Sequence, residues 1–183
     1  MKRQAIILGL VLCAVIASAH ARVVASGYWT RLQTATGIRE GHGPTALVVF
    51  FDPNCPYCHR LYDKLQPLLR THPLAVQWIP VGILTLSSFG KAAALLKARD
   101  PQAALAAAEN GFGPGGGAIV PRRATPSIAQ ALRTNERLLG EGGARGVPFL
   151  VYRDPAGSVH TITGDPPTVR LQRLWATPTP KTK

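Results

Sequence analysis

The chain has 183 residues, 46% of them apolar and 16% charged, with 21 Lys and Arg against 9 Asp and Glu, a formal charge of +12, and three cysteines. The length sets one compact domain as the default, while the apolar share excludes a disordered chain and the cysteine count excludes a disulfide-stapled miniprotein. The charge taken alone points to nucleic acid or an anionic membrane surface.

The first elements are not structural. Lys2 and Arg3 precede an uninterrupted apolar run from Ala5 to Ala17, and Ala19-His20-Ala21 follows as an A-x-A cleavage site. Residues 1–21 therefore read as a secretory signal peptide. The apolar run is shorter than the roughly 20 residues of a spanning helix, which leaves an uncleaved anchor as the alternative. Cys13 follows Leu12, where a lipoprotein signal needs a small residue, and it leaves with the signal. Removal of 21 residues, including Lys2 and Arg3, leaves 162 residues with 19 basic and 9 acidic side chains, a net charge of +10. The remaining cysteines, Cys55 and Cys58, then work in an oxidising compartment.

Tyr28, Trp29, Leu32 and Ala35 give one short helical face that Gly37 ends. The run Ala46 to Phe51 is continuously apolar and rich in β-branched and aromatic residues, as in a strand buried on both faces. Asp52-Pro53-Asn54 punctuates it. From Cys55 the apolar spacing becomes Leu61, Leu65, Leu68 and Leu69, a helix that Pro67 should kink. A second strand, Val76 to Val81, follows, and β-α-β of this length implies a parallel crossover. Ser88 to Ala98 is a helix, and Asp100-Pro101 caps another that Gly111 closes. No Lys-Ser/Thr follows the glycines of Gly111 to Gly117, so they read as a mobile surface loop and not a phosphate cradle. Thr125-Pro126 caps a helix through Ile128, Leu132, Leu138 and Leu139. Phe149 to Arg153 and Val159 to Thr163 are strands joined as a hairpin by Pro155 to Ser158. Asp165-Pro166 caps a last helix carrying Val169, Leu171, Leu174 and Trp175, and 177–183 form a disordered tail. This order predicts an α/β chain of the thioredoxin fold over 22–176, with a helical insertion at about 86–140.

Cys55-Pro56-Tyr57-Cys58 carries the chemistry. A sulfur at a helix N-terminus faces free backbone N–H groups and the positive end of the dipole, which favours its thiolate. Cys55, the more exposed, is the expected nucleophile, and Cys58, one turn in, the resolving thiol. Pro56 removes one donor, Tyr57 places a ring at the rim, and His59 raises the local positive potential. Three other readings stand beside this one. A structural disulfide would close so small a loop that it gains little entropy. A zinc site needs four ligands, and only His42, His59, His72 and His160 are available to join the pair. Cys55 to His59 also spells the C-x-x-C-H of covalent haem, although the only methionine, Met1, cannot serve as an axial ligand.

Val147-Pro148 supplies a second signal, because a proline opening a strand cannot donate to the ladder and is rare there unless the bond is cis or the strand is an edge. In a thioredoxin fold this proline is cis beside the redox cysteines and leaves the neighbouring backbone free to pair with an extended substrate.

The segments Phe50 to Cys58, Val81 to Ile83, Lys91 to Pro101, Asn135 to Leu139 and Gly146 to Pro148 resemble the catalytic domain of the periplasmic disulfide isomerases DsbC and DsbG, the DsbG branch most. The resemblance runs from about Tyr28 to Trp175. It implies a periplasmic thiol-disulfide oxidoreductase without metal or organic cofactor, kept reduced by an inner-membrane electron donor of the DsbD type. Its substrates would be proteins with wrong disulfides or with cysteines oxidised to sulfenic acids. Cys55 carries over as nucleophile, Cys58 as resolving thiol and Pro148 as the cis-proline. The family's N-terminal dimerisation domain has no counterpart before Tyr28, so a monomer is expected. Val147 stands where the isomerases have Thr and where the oxidase DsbA has Val, which keeps an oxidase role as an alternative. A non-catalytic adaptor built on the same fold is another. Val49 occupies the place where thioredoxins bury an acid that deprotonates the resolving thiol, so that role falls to water or to Asp52, itself read as an exposed turn or cap residue. The arginines are spread along the chain and not gathered on one helix, so nucleic acid is not an expected partner.

Overall fold

The computed structural model describes residues 22–24, 26–154 and 156–176. The expected signal peptide, Cys13 and the tail from Thr177 lie outside them. Among the described residues six strands form one sheet: β1 (Arg22–Val24), β2 (Ile38–Gly41), β3 (Thr45–Phe51), β4 (Ala75–Pro80), β5 (Phe149–Arg153) and β6 (Val159–Thr163), in the order β1-β6-β5-β3-β4-β2. Only β3 and β4 run parallel; every other pair is antiparallel. Among the described residues six helices complete the fold: α1 (Ser26–Leu32), α2 (Pro56–Thr71), α3 (Ser88–Lys97), α4 (Pro101–Asn110), α5 (Pro126–Glu141) and α6 (Thr168–Ala176).

β3 lies at the centre, and its continuous apolar run is used on both faces. Val48 and Phe50 join Tyr28, Leu32, Leu138, Leu139, Phe149 and Val151 in the core beneath α1 and α5. Leu47, Val49 and Phe51 join Leu61, Leu65, Trp78, Leu105 and Leu171 in the core beneath α2, α4 and α6. A side-chain period of two therefore divides one strand between two cores. A third small cluster, Ala92, Ala93 and Leu132, holds α3 to α5.

The expected caps form. Asp100 accepts from the Ala103 N–H at 3.0 Å and Thr125 from the Ile128 N–H at 3.3 Å, each supplying an acceptor to a helix N-terminus that otherwise has none. The α2 helix runs through Pro67 to Thr71.

Three expectations are corrected, and two edge strands, β1 and β2, join those expected. The edge strand β2 has only Ile38 as a large apolar residue and was not foreseen. It pairs with β4 and buries Glu40, whose carboxylate accepts from Tyr62 Oη and Gln66 Nε2, each at 3.1 Å, and from Trp78 Nε1 at 2.9 Å. Asp165 does not cap α6: its carboxylate accepts from Lys64 Nζ at 2.6 Å and Arg60 Nε at 3.4 Å on α2, while the Pro167 carbonyl opens the helix. Val169 faces solvent, unlike buried Leu171. The glycine loop is tied down by contacts described below.

Candidate active site

The strand β3 delivers Asp52 to the C-terminal edge of the sheet, and the chain turns there into α2. The Cys55 N–H donates to the Asp52 carbonyl at 3.0 Å, and Cys55 is the extended N-cap of α2, with Pro56 in its first turn. Its Sγ accepts from the Cys58 N–H at 3.3 Å and lies 3.6 Å from the Val147 carbonyl, toward which the thiol donates. Both cysteines are free thiols. The Val147–Pro148 bond is cis, and the 3.6 Å contact sets Val147 beside the first sulfur.

Access does not separate the two cysteines as expected, because Cys55 is 2% exposed and Cys58 1%. Their proton affinities differ instead. A hydrogen bond from the Cys58 side chain holds Cys55 below the usual thiol range, helped by the N–H groups of Cys58 and Tyr57 and opposed by burial and the charge of Asp52. Cys58 is pushed well above that range, first by burial and then by the hydrogen bond and charge of Cys55. Stabilising a thiolate at a helix N-terminus and leaving its neighbour protonated is the division of labour that exchange needs.

Asp52 is not an exposed turn residue. It is 1% exposed, and its carboxylate accepts four hydrogen bonds. The N–H groups of Ile83 and Leu84 reach Oδ2 at 2.8 and 2.9 Å, and the Asn54 N–H and Ser88 hydroxyl reach Oδ1 at 2.9 and 2.7 Å. A carboxylate survives burial only with this kind of satisfaction. Asp52 thereby ties the cysteine loop to the segment that follows β4, which reaches the same sheet edge because β3 and β4 are parallel.

The glycine loop belongs to this site. Gly113 and Gly116 pair through their backbones, and the Gly117 N–H donates to the Pro53 carbonyl at 2.7 Å. The buried Lys91 ammonium spends its three protons on Asn54 Oδ1 at 2.8 Å, the Gly115 carbonyl at 2.5 Å and the Gly117 carbonyl at 2.9 Å. Gly116 has φ of +81°, and a Cβ there would stand 2.1 Å from Asn54 Oδ1, so only glycine lets the loop close against Asn54.

His59 does not sit free beside the thiols. Its Nδ1 lies 3.0 Å from Glu109 Oε2, its Nε2 lies 3.5 Å from Asp63 Oδ2, and its ring stacks on Phe112 with centroids 4.4 Å apart. With both nitrogens engaged by carboxylates, the ring is turned away from the role of haem ligand that C-x-x-C-H suggests. Among the described residues no three His, Cys, Asp or Glu side chains converge as a metal site. Tyr57 is exposed, with the Arg60 guanidinium 4.4 Å from its ring centre. Ile83, Leu84 and Leu86 are exposed near the same edge.

Sequence reasoning brought Cys55, Cys58, Pro56, Tyr57, Val147 and Pro148 to one place, and missed Asn54, Ser88, Lys91 and Glu109. Two signals were available. Glu109 is the one charged residue in the Ala-rich α4, and Lys91 interrupts the apolar face of α3.

The sequence matches the family described as Thioredoxin-like domain over residues 32–176. The thiol:disulfide interchange protein DsbG of Pseudomonas aeruginosa is 28% identical over 154 residues, covering 82% of this chain and 59% of that protein. Its counterpart in Escherichia coli is 26% identical over 143 residues, covering 75% and 56%. The chain thus spans less than two thirds of these relatives. Among solved structures, a periplasmic thioredoxin-like protein from Salmonella enterica serovar Typhimurium superposes with a TM-score of 0.68 at 22% identity, covering 85% of this chain and 97% of that one. The catalytic domain of Proteus mirabilis ScsC gives 0.67 at 20% identity, covering 84% and 97%.

Proposed function

The chain belongs to the thioredoxin-like domain family, and on that premise we propose that it is a periplasmic thiol-disulfide oxidoreductase, similar in chemistry to DsbG, working through Cys55 and Cys58. The observation that carries this reading is two free thiols on the first turn of one helix, with Cys55 Sγ accepting from the Cys58 N–H at 3.3 Å and lying 3.6 Å from the Val147 carbonyl. Cys55 attacks a substrate sulfur as the thiolate and forms a mixed disulfide. Cys58 then attacks Cys55 Sγ, the Cys55–Cys58 disulfide forms, and the substrate leaves as a thiol having gained two electrons. The Val147 backbone and the exposed Tyr57, Ile83 and Leu84 supply a rim for an extended, partly apolar polypeptide. An inner-membrane donor of the DsbD type returns the electrons.

The low proton affinity of Cys55 also supports a second direction. Whatever stabilises the thiolate stabilises the reduced protein, which makes the disulfide form an oxidant. An oxidase role, with Val147 in place of a hydroxyl-bearing residue, is therefore the second reading. One set of variants tests the chemistry and one equilibrium gives its direction. Cys55→Ser should reduce turnover of a protein disulfide to the uncatalysed rate, and Cys58→Ser should accumulate a mixed disulfide visible by mass. Wild-type turnover retained by Cys55→Ser refutes the proposal. Equilibration of the wild-type pair with glutathione then separates the reductase from the oxidase.

A further inference from the structure

The exchange chemistry leaves a buried acid on α4 without a task. Glu109, from α4, is 4% exposed at its side chain, yet it is joined to solvent by a graded path. Its Oε2 lies 3.0 Å from His59 Nδ1, His59 is 25% exposed, and His59 Nε2 lies 3.5 Å from the Oδ2 of Asp63, which is 62% exposed. His59 follows Cys58 directly in the chain, and Cys58 shares its buried cluster with Leu105 and Ala108 of α4. The Phe112 ring, parallel to the imidazole within 4°, fixes the middle of the path.

We propose that Glu109 is the proton-coupled group of the Cys55–Cys58 pair, protonated while the pair is reduced and giving its proton to solvent through His59 and Asp63 when the disulfide forms. This rests on the reading of the cysteines as an exchange pair. The reduced pair carries one negative charge, on Cys55, and a charge on Glu109 would add to it beside the buried Cys58. Forming the disulfide removes the first charge and frees Glu109 to ionise. His59 favours its carboxylate, whereas Asp63 from α2 and Glu40 from β2 disfavour it, and its own charge in turn raises the proton affinity of Cys58 and of Tyr62. Burial is the largest influence and pushes the Glu109 carboxyl up to about 7, where a modest change in local charge alters its occupancy.

The stoichiometry closes. The reactants are the Cys55 thiolate, the Cys58 thiol, the Glu109 carboxylic acid and a substrate disulfide. The products are the Cys55–Cys58 disulfide, the Glu109 carboxylate and two substrate thiols. Two electrons pass from the cysteines to the substrate. The first leaving thiolate takes a proton from solvent, the second takes the proton of Cys58, and Glu109 restores the solvent proton once the disulfide has closed. Glu109 acts through its effect on the thiols and is a positioning residue in this scheme.

The carboxyl of Glu109, followed by carbon NMR in the intact wild-type protein, should titrate at a higher pH in the dithiol form, prepared with dithiothreitol, than in the disulfide form, prepared with diamide. Between those two midpoints the equilibrium constant with glutathione should change by about one additional tenfold per pH unit, and Glu109→Gln should abolish that extra slope. Identical Glu109 midpoints in the two redox states overturn the proposal, as does an unchanged slope in Glu109→Gln. Because the titration uses the wild type, a Glu109→Gln protein that fails to fold does not block the decision. A redox-dependent midpoint without turnover of any protein disulfide would refute the functional reading and leave this one standing.

Discussion

Replacing Asp52 with Asn tests whether the cysteine loop is held by one satisfied carboxylate. The substitution keeps shape and removes charge. Oδ2 receives two backbone N–H groups, from Ile83 and Leu84, so the amide oxygen must turn toward them. The new NH2 then faces the Ser88 hydroxyl, which rotates to accept, and the Asn54 N–H, which cannot. The part-buried Asn54 N–H is left without an acceptor, at about 1–3 kcal/mol, and the remaining bonds lose their charge assistance. The sum is about 3 kcal/mol. With a urea dependence of about 2 kcal/mol/M for a chain of this size, the midpoint falls by about 1.5 M. Urea titration followed by far-ultraviolet circular dichroism at neutral pH reads this directly, with the slope unchanged. Asp52→Ala, which orphans the N–H groups of Asn54, Ile83 and Leu84, should lose more. The charge also acts on the thiol: Asp52 raises the proton affinity of Cys55, so in Asp52→Asn the thiolate absorbance near 240 nm should develop at lower pH. A midpoint that stays within about 0.3 M of wild type, or an alanine variant no weaker than the asparagine one, would refute the reasoning.

Other outcomes follow from the same geometry. Brief alkylation with iodoacetamide at neutral pH should label Cys55 and spare Cys58 in peptide maps, because one thiol is held below and the other well above the usual range; equal labelling contradicts the split. Glu109, raised from 4.5 to about 7 in the fold, contributes stability that is present below the unfolded value and lost as pH rises through 7, a change on the order of 3 kcal/mol. Glu109→Gln should flatten that segment of the stability profile, and a profile that declines as steeply as wild type argues against a buried, raised carboxyl. Gly116→Ala, with φ of +81° and a Cβ 2.1 Å from Asn54 Oδ1, should cost at least about 1 kcal/mol and lower the melting temperature by about 2–4 °C or more. Gly115→Ala, where nothing lies within 4 Å, should leave the melting temperature as it is.

What the sequence disclosed and what it concealed divide along the range of the interactions. The caps at Asp100 and Thr125, the strand pair Phe149–Arg153 and Val159–Thr163, and the cysteine turn are set by neighbours within a few residues, and they formed where the pattern placed them. Strand β2 was hidden because Ile-Arg-Glu-Gly has no strand pattern of its own; Glu40 is buried only because Tyr62, Gln66 and Trp78 converge on it from α2 and β4. Asp52 misled for a related reason. Asp-Pro-Asn has the chemistry of a turn, and the Asn54 N–H does satisfy that pattern, but the donors that make burial tolerable come from Ile83, Leu84 and Ser88. His59 was placed correctly beside Cys58, and its carboxylate partner on α4, fifty positions away, was invisible.

The Lys91 ammonium joins three stretches of chain: its own helix, the asparagine before Cys55 and the glycine loop after α4. An ammonium with all three protons committed to oxygens of two other segments tolerates little independent variation in any of them. Asn54, Lys91 and Gly116 therefore form a matched set. Grafting the segment from α3 to α5 onto another member of the fold should succeed only when the asparagine travels with it, and a homologue that has lost the lysine should also have a different residue at the position of Gly116.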